Sequence, residues 1–357
     1  MLLLFALCLA ALAGDLRVLV LDVGQGDAIL LEAANGKRVL VDAGTRRAEV
    51  VQLLKARGVK SLDMVVATHA HADHIGGMVS VLKTYKPKIY LDNSMAHTTL
   101  TYSSTMAALE RHDIGYRTAV YGRTFRLDED VSMTVLHPRS RLLRDTRSDL
   151  NSNSVVIRID HGEDCILLTG DAEDATERAL MQQQIAPCGV LKVAHHGSGH
   201  STSAAWLRAI APKIALISVG RDNRYGHPDP DTLARLKAAD VKVHRTDLEG
   251  TLTLVSTGTG VRVESLRNLT DILTEHKTLD RPPVLQAETV NINQADLNSL
   301  DQLPGIGPAR AAAIIADREA NGPYTQCSEL QRIKGIGPKT VAGLESNCTT
   351  QPPAENP

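Results

Sequence analysis

The chain has 357 residues, of which 43% are hydrophobic and 22% charged, ordinary values for a folded protein that exclude wholesale disorder. Lys and Arg total 39 against 41 Asp and Glu, a net charge of −2, so the protein does not coat nucleic acid by bulk charge. Aromatic residues make up only 3%, with Phe 2, Trp 1 and Tyr 7, which argues against a stacking platform for single-stranded bases and makes the core aliphatic.

The first element is the apolar run Leu2 to Ala13, in which Ala11-Leu12-Ala13 fits a small-x-small cleavage pattern ahead of Gly14. Residues 1–13 are therefore expected to be a signal peptide, and the mature chain to be exported, periplasmic or extracellular. No Lys or Arg precedes the run; the competing reading is a buried first strand or a misplaced start. The run is shorter than the ~20 residues that span a bilayer, and no transmembrane segment is expected in the mature chain. Without Cys8, four cysteines remain: Cys165, Cys188, Cys327 and Cys348. An even number in an exported chain predicts two disulfides, with Cys165–Cys188 and Cys327–Cys348 as the local pairing. The alternative is four buried thiols. No CxxC spacing occurs, so a thiolate zinc site is not expected.

Strands are predicted at Leu16–Asp22, Asp27–Leu31 and Lys37–Asp42, the last two joined through Asn35-Gly36, a hairpin signal. Strands and helices then alternate. Met64–Thr68, Ile89–Leu91, Val131–Leu136, Val155–Asp160, Cys165–Thr169, Val190–Ala194, Ile214–Val219 and Val241–His244 read as strands. Gly77–Tyr85, Thr105–His112, Ala204–Ile210 and Thr232–Ala239 read as helices. Thr251–Val255 and Val261–Val263 close a mixed α/β domain over residues 14–265. Arg281-Pro282-Pro283 marks residues 266–288 as a linker. Residues 289–348 read as a small all-α domain, and residues 349–357 as a disordered tail.

The most specific segment follows the Met64–Thr68 strand: His69, His71, Asp73 and His74 lie within six positions. Imidazole and carboxylate suit a divalent metal, Zn²⁺ or Mn²⁺. A turn after a strand can aim His69 and His71 at one ion, and Asp73 and His74 at another. The competing reading is a polar loop that happens to be rich in histidine.

This HxHxDH run resembles the metallo-β-lactamase fold family, which implies an αββα sandwich and one or two metal ions. The resemblance extends to Asp42 after Leu40-Val41, which would orient the metal loop. Asp171, after Leu167-Leu168-Thr169-Gly170, would bridge the ions. Either His195 or His196, in Ala194-His195-His196-Gly197-Ser198, would bind the second ion; His196 is favoured. One motif departs. Where the family carries a further His, the chain reads Asn151-Ser152-Asn153-Ser154, leaving Asn153 as a weak fourth ligand of the first ion. That segment, Leu21 to Ala28, Ala194 to Ser198, and Arg224-Tyr225-Gly226-His227-Pro228 together resemble the metallo-β-lactamase-like domain of the ComEC competence proteins, over roughly Leu16 to Val263. His227 would contact phosphate or protonate a leaving oxygen, its alternative being a loop cap. Asn153 and Ser198 would also contact phosphate.

Leu303-Pro304-Gly305-Ile306-Gly307-Pro308 recurs thirty positions on as Ile333-Lys334-Gly335-Ile336-Gly337-Pro338. Gly-Ile-Gly between short helices is a helix-hairpin-helix signature, in which glycines and a helix N-terminus approach a phosphate. Gly305, Ile306, Gly307, Gly335, Ile336 and Gly337 are the expected DNA-contact residues, with Arg310 and Lys339 adding charge. From Val290 the segment resembles the ComEA competence DNA receptors. Between Glu288 and Glu345 five basic residues face seven acidic ones, so the rival is a helical interaction module. The combined expectation is an exported metal-dependent DNA phosphodiesterase or nuclease, for uptake or degradation of DNA. Its rivals are a non-catalytic DNA receptor on a metal-binding scaffold and a hydrolase of another phosphodiester, such as cell-wall choline-phosphate.

Overall fold

The computed structural model describes residues 14–221, 223–265, 290–300, 303–344 and 347–350. The expected signal peptide, the expected linker and residues 351–357 lie outside these. The chain divides between His276 and Lys277 into two compact units.

In the first unit the strands are β1 (Leu16–Val20), β2 (Ile29–Glu32), β3 (Arg38–Val41), β4 (Met64–Val66), β5 (Ile89–Asp92), β6 (Gly115–Thr118), β7 (Thr124–Arg126) and β8 (Val131–His137). They continue with β9 (Val156–His161), β10 (Asp164–Leu168), β11 (Val190–Lys192), β12 (Ile214–Ile217), β13 (Lys242–Arg245), β14 (Leu252–Ser256) and β15 (Val261–Ser265). One sheet has the order β15-β14-β1-β2-β3-β4-β5-β6, the other β13-β12-β11-β10-β9-β8-β7. The predicted hairpin joins β2 to β3 in antiparallel register, with Gly36 at φ 85° in its turn.

Alternate residues on each sheet face opposite sides, and three apolar clusters result. Val18, Val20, Val39, Val66, Val135, Ile157, Ile166 and Leu216 fill the space between the sheets. Leu19, Leu40, Val65 and Tyr90 pack outward against helices Val50–Ala56, Met78–Tyr85 and Leu100–Arg111. Leu167, Leu191, Ala215 and Ile217 pack against helices Asp174–Met181, Ala204–Ile210 and Pro230–Ala238. Helix, sheet, sheet, helix is the αββα sandwich. Parallel pairing runs β3-β4-β5 in one sheet and β10-β11-β12 in the other. The loops leaving the C-terminal ends of β3, β4, β10 and β11 carry the metal-binding motifs.

The second unit is helical, with one addition to the all-α expectation: Val290–Asn291 pairs in parallel with Cys348–Thr349. The expected tail therefore starts too early. Thr349 O accepts from Ile292 N at 2.9 Å, and Thr350 Oγ1 donates to Thr325 O at 3.1 Å. Ile292, Leu300, Leu303, Ile306, Ile314, Leu330, Ile336 and Val341 form its core.

Cys165–Cys188 and Cys327–Cys348 are both disulfide-bonded, with Cα separations of 4.9 and 6.2 Å. The second bridge ties the end of the small unit to its middle. A core this small gains most from such a constraint. Cys327→Ser/Cys348→Ser should remove roughly 3 kcal/mol and lower the unfolding transition of this unit in calorimetry of the full chain. A transition that does not move would refute the assignment.

Candidate functional site

The metal loop is anchored from beneath. Asp42 is fully buried at φ 60°. It accepts from Thr68 N and Thr68 Oγ1, each at 2.7 Å, and faces His74 Nδ1 at 2.7 Å. The Thr68 hydroxyl proton is thereby spent, so its oxygen is free to accept from His69 Nδ1 at 3.1 Å. Ser218 O takes the Nδ1 proton of His196 at 2.9 Å. In each case the outer nitrogen is held by a neighbour and Nε2 is turned inward, the arrangement that fixes tautomer and aim in metal-binding histidines.

The inward atoms meet at Asp171, which is 2% exposed. Asp171 Oδ1 lies 3.2 Å from His74 Nε2 and 3.6 Å from His196 Nε2. Asp171 Oδ2 lies 3.7 Å from His69 Nε2 and 3.7 Å from His195 Nε2. Asp73 Oδ2 stands 3.5 Å from His196 Nε2, and His71 Nδ1 stands 2.9 Å from His69 Nε2. The groups His69–His74–Asp171 and Asp73–His74–His196 are each compact enough to hold one ion. His74 Nε2, His196 Nε2 and Asp171 Oδ1 are buried without hydrogen-bond partners. Lone pairs aimed at one another in a buried space call for a shared cation. The residues therefore fit a divalent metal.

The protonation states express the same frustration. Burial opposes charge on His74, yet Asp171, Asp42 and Asp73 outweigh it and lift His74 well above the ordinary histidine range. Burial also opposes charge on His196, but Asp171 and Asp27 push it up to about 9. His69 is driven well below its ordinary value by burial and by His74. Burial favours a neutral Asp171, but His74 and His196 hold it well below the carboxylate range. Without metal, protons take the place of the ions.

Two predicted contacts do not form. The Asn153 carboxamide is turned to the neighbouring loop: Oδ1 accepts from Leu143 N at 2.8 Å, while Nδ2 donates to Leu143 O and Asp149 O at 2.9 and 2.7 Å. It is fully buried and does not line the cavity. Asn151 lines the cavity instead; its Nδ2 lies 3.2 Å from Glu173 Oε1 and 3.5 Å from His195 Nδ1. Ser198 is 3% exposed and does not line the cavity; its Oγ accepts from His200 N at 3.4 Å and its carbonyl from Thr232 Oγ1 at 2.9 Å. His227 does reach the site. It lines the same cavity of about 300 Å³ as His71, Asp73, Asp171, His195 and His196, with its ring 5.7 Å from that of His195.

Sequence reasoning missed Asp27, Lys192, Ser154 and Glu173. Lys192 and Asp27 are a buried ion pair, with Asp27 Oδ1 3.5 Å from His196 Nδ1. Ser154 Oγ accepts from Asp171 N at 3.2 Å and touches His69 Nδ1 at 3.4 Å. Glu173 Oε1 stands 3.6 Å behind His195 Nδ1. The one local signal was a lysine inside the apolar strand Val190-Leu191-Lys192-Val193.

Four histidines and a shared carboxylate at the strand ends of an αββα sandwich coincide with a family match over residues 21–221, described as the metallo-beta-lactamase superfamily. The chain belongs to the metallo-beta-lactamase superfamily. A helix-hairpin-helix motif matches residues 285–349. ComE operon protein 3 of Bacillus subtilis (strain 168) is 30% identical over 263 residues, 68% of this chain and 33% of the relative. Competence protein ComA of Neisseria gonorrhoeae is 33% identical over 258 residues, 71% of this chain and 34% of the relative. ComE operon protein 1 of Bacillus subtilis (strain 168) is 40% identical over 62 residues, 17% of this chain and 30% of that one. The chain spans about a third of the length of the curated relatives it matches. Among the described residues no helix is long and apolar enough to cross a membrane.

In the helix-hairpin-helix unit the two repeats are built alike. Gly305 and Gly335 have φ 79° and 93°, a region that favours glycine. Ile306 N donates to Leu303 O, and Ile336 N to Ile333 O, each at 3.0 Å. Both isoleucine side chains are 2% exposed, so the contact role expected of Ile306 and Ile336 is corrected: they anchor the hairpins in the core. Gly307 and Gly337 accept the first helical bonds of Pro308–Asn321 and Pro338–Leu344 through their carbonyls. The repeats clasp each other. Arg310 lies against Gly335, and Thr340, the equivalent residue of the other repeat, against Gly305. Arg310 Nη1 also donates to Gly305 O at 2.6 Å. Lys339 is exposed.

Proposed function

We propose that the protein is an exported, metal-dependent phosphodiesterase that cuts DNA and is kept on its substrate by the paired hairpins, in DNA uptake or in degradation of external DNA. The observation that carries this reading is the buried convergence of His74 Nε2, His196 Nε2 and Asp171 Oδ1, the last two on residues that line an open cavity, in a chain that also bears two helix-hairpin-helix repeats. His69, His71 and Asp171 would hold one Zn²⁺ or Mn²⁺ ion; Asp73, His74, His196 and Asp171 would hold a second. When bound, such ions supply Lewis-acid activation of water and neutralise phosphate oxygens. The chain's own residues do the rest. Asp171 fixes the spacing between the two sets of histidines. His227, on the cavity wall, contacts a phosphate oxygen and orients the strand. Gly307, Gly337, Arg310 and Lys339 meet the backbone of the DNA, which raises the local concentration of phosphodiester at the cavity.

The test is to load the purified chain with Mn²⁺, Zn²⁺ or Mg²⁺, assay the bound metal, and incubate with plasmid and linear DNA. Asp73→Ala/His74→Ala serves as the comparison. Cleavage by the parent and at least a hundredfold less by the double variant is expected. Metal-loaded protein that binds DNA and leaves it intact in all three metals would replace this reading with that of a DNA receptor.

A further inference from the structure

Of all the large apolar and aromatic side chains described as exposed, the most exposed stands at the mouth of the metal cavity. Tyr225 is 56% exposed, and it lines the same cavity as Asp171 and His227. A single exposed ring is ordinary at a surface; this one is set apart by its place on the wall of the cavity. Asn223 ties its neighbours together around this ring. Asn223 Oδ1 accepts from Tyr225 N and His227 N at 3.2 and 3.0 Å. Asn223 Nδ2 donates to Gly220 O and His227 O at 2.8 and 2.7 Å. One carboxamide thus spends all its capacity on the backbone on either side of and at Tyr225. The ring is nearly parallel to His227, at 17° and 5.9 Å between centroids. Arg224 lies 5.2 Å from the ring centre and donates to Tyr225 Oη at 3.2 Å. An aromatic ring and a guanidinium beside a phosphodiester site are the two groups that take up a nucleobase and its flanking phosphate.

We infer that Tyr225 is a stacking platform for one unpaired nucleobase of the strand whose phosphate occupies the metal cavity, so that the substrate is single-stranded or locally opened DNA. Inside a duplex both faces of a base are covered by its neighbours, and only an unpaired base has a face to offer the ring. Arg224 pairs with the phosphate next to that base. The low aromatic content of the chain is no obstacle, because one ring in the right place suffices. The inference rests on the phosphodiesterase reading, and its test separates the two.

The full chain, loaded with metal, is irradiated with a single-stranded oligonucleotide carrying 5-iododeoxyuridine, and the crosslinked peptide is identified by mass spectrometry. KM is measured in parallel for an ordinary single strand and for an abasic strand of equal length, with Tyr225→Ala and Tyr225→Phe. The expected results are a crosslink at Tyr225 and a KM for the ordinary strand raised about tenfold or more in Tyr225→Ala. That variant loses the preference over the abasic strand, and Tyr225→Phe keeps it. Crosslinks confined to other peptides, or an unchanged preference in Tyr225→Ala, overturn the inference. A crosslink at Tyr225 without cleavage by the parent supports base stacking and removes the phosphodiesterase reading instead.

Discussion

Asp171→Asn should strip the protein of its metal. This carboxylate faces four imidazoles, two from each oxygen, at 3.2 to 3.7 Å. The amide keeps the shape and loses the charge. Because both ions would share this residue, the loss is expected in both at once, at least a hundredfold in affinity, with bound metal near zero after dialysis. A variant that retains one full equivalent would show that the two sets of histidines are independent. The pH dependence gives a second readout. His196 is raised in the folded metal-free protein from 6.5 to about 9. A raised value in the folded state means stability that is complete below pH 6.5 and lost as pH climbs through 9. The metal-free parent should thus lose of the order of 3 kcal/mol between these values. With metal present the slope reverses, since the ion displaces those protons and binds more tightly as pH rises. In Asp171→Asn the main carboxylate that raises His196 is gone, and both slopes should flatten. Thermal unfolding at pH 6.5, 7.5 and 9, with and without metal, measures all of this.

What could be seen in the sequence was what is local. His69, His71, Asp73 and His74 are conspicuous because one turn carries four ligand types directly after a strand. Asp42 and Asp171 each end an apolar strand, and the hairpin repeat is visible as a repeat. What failed were the distant contacts that no motif or cysteine pair marked. Asn153 and Asn151 differ by two positions, and nothing local says which faces the cavity. The choice is made by the short helix Asp149–Ser152 and by the loop around Leu143, which claims Asn153. Asp27 and Lys192 are 165 positions apart and meet only once the two sheets face each other. Ile306 sits in the hairpin signature yet is spent on the core of the small unit. The aromatic fraction, a property of the whole chain, said nothing about where the most exposed tyrosine would stand.

Lys192→Met should be strongly destabilising. Lys192 and Asp27 are 0% and 1% exposed, and their ion pair is enclosed between the sheets. Burial alone would raise the Asp27 carboxyl, but Lys192 and His196 hold it below the usual carboxylate range. Removing the ammonium leaves a buried carboxylate with Oδ1 already lacking a hydrogen-bond partner. Breaking such a pair from one side costs about 3–5 kcal/mol, which for a unit of this size lowers the unfolding temperature by roughly 10 °C. The pair also stands behind the site, with Asp27 Oδ1 3.5 Å from His196 Nδ1 and Oδ2 4.0 Å from His74 Nδ1. Metal affinity should therefore fall with stability. Asp27→Asn/Lys192→Met removes both charges together and should regain most of the stability, because the penalty belongs to the unpaired ion rather than to the missing pair. It should not regain the metal affinity, since the double variant also removes the Asp27 carboxylate that stands behind His196 Nδ1. A single Lys192→Met variant within 1 kcal/mol of the parent, or a double variant no more stable than the single one, would refute this account.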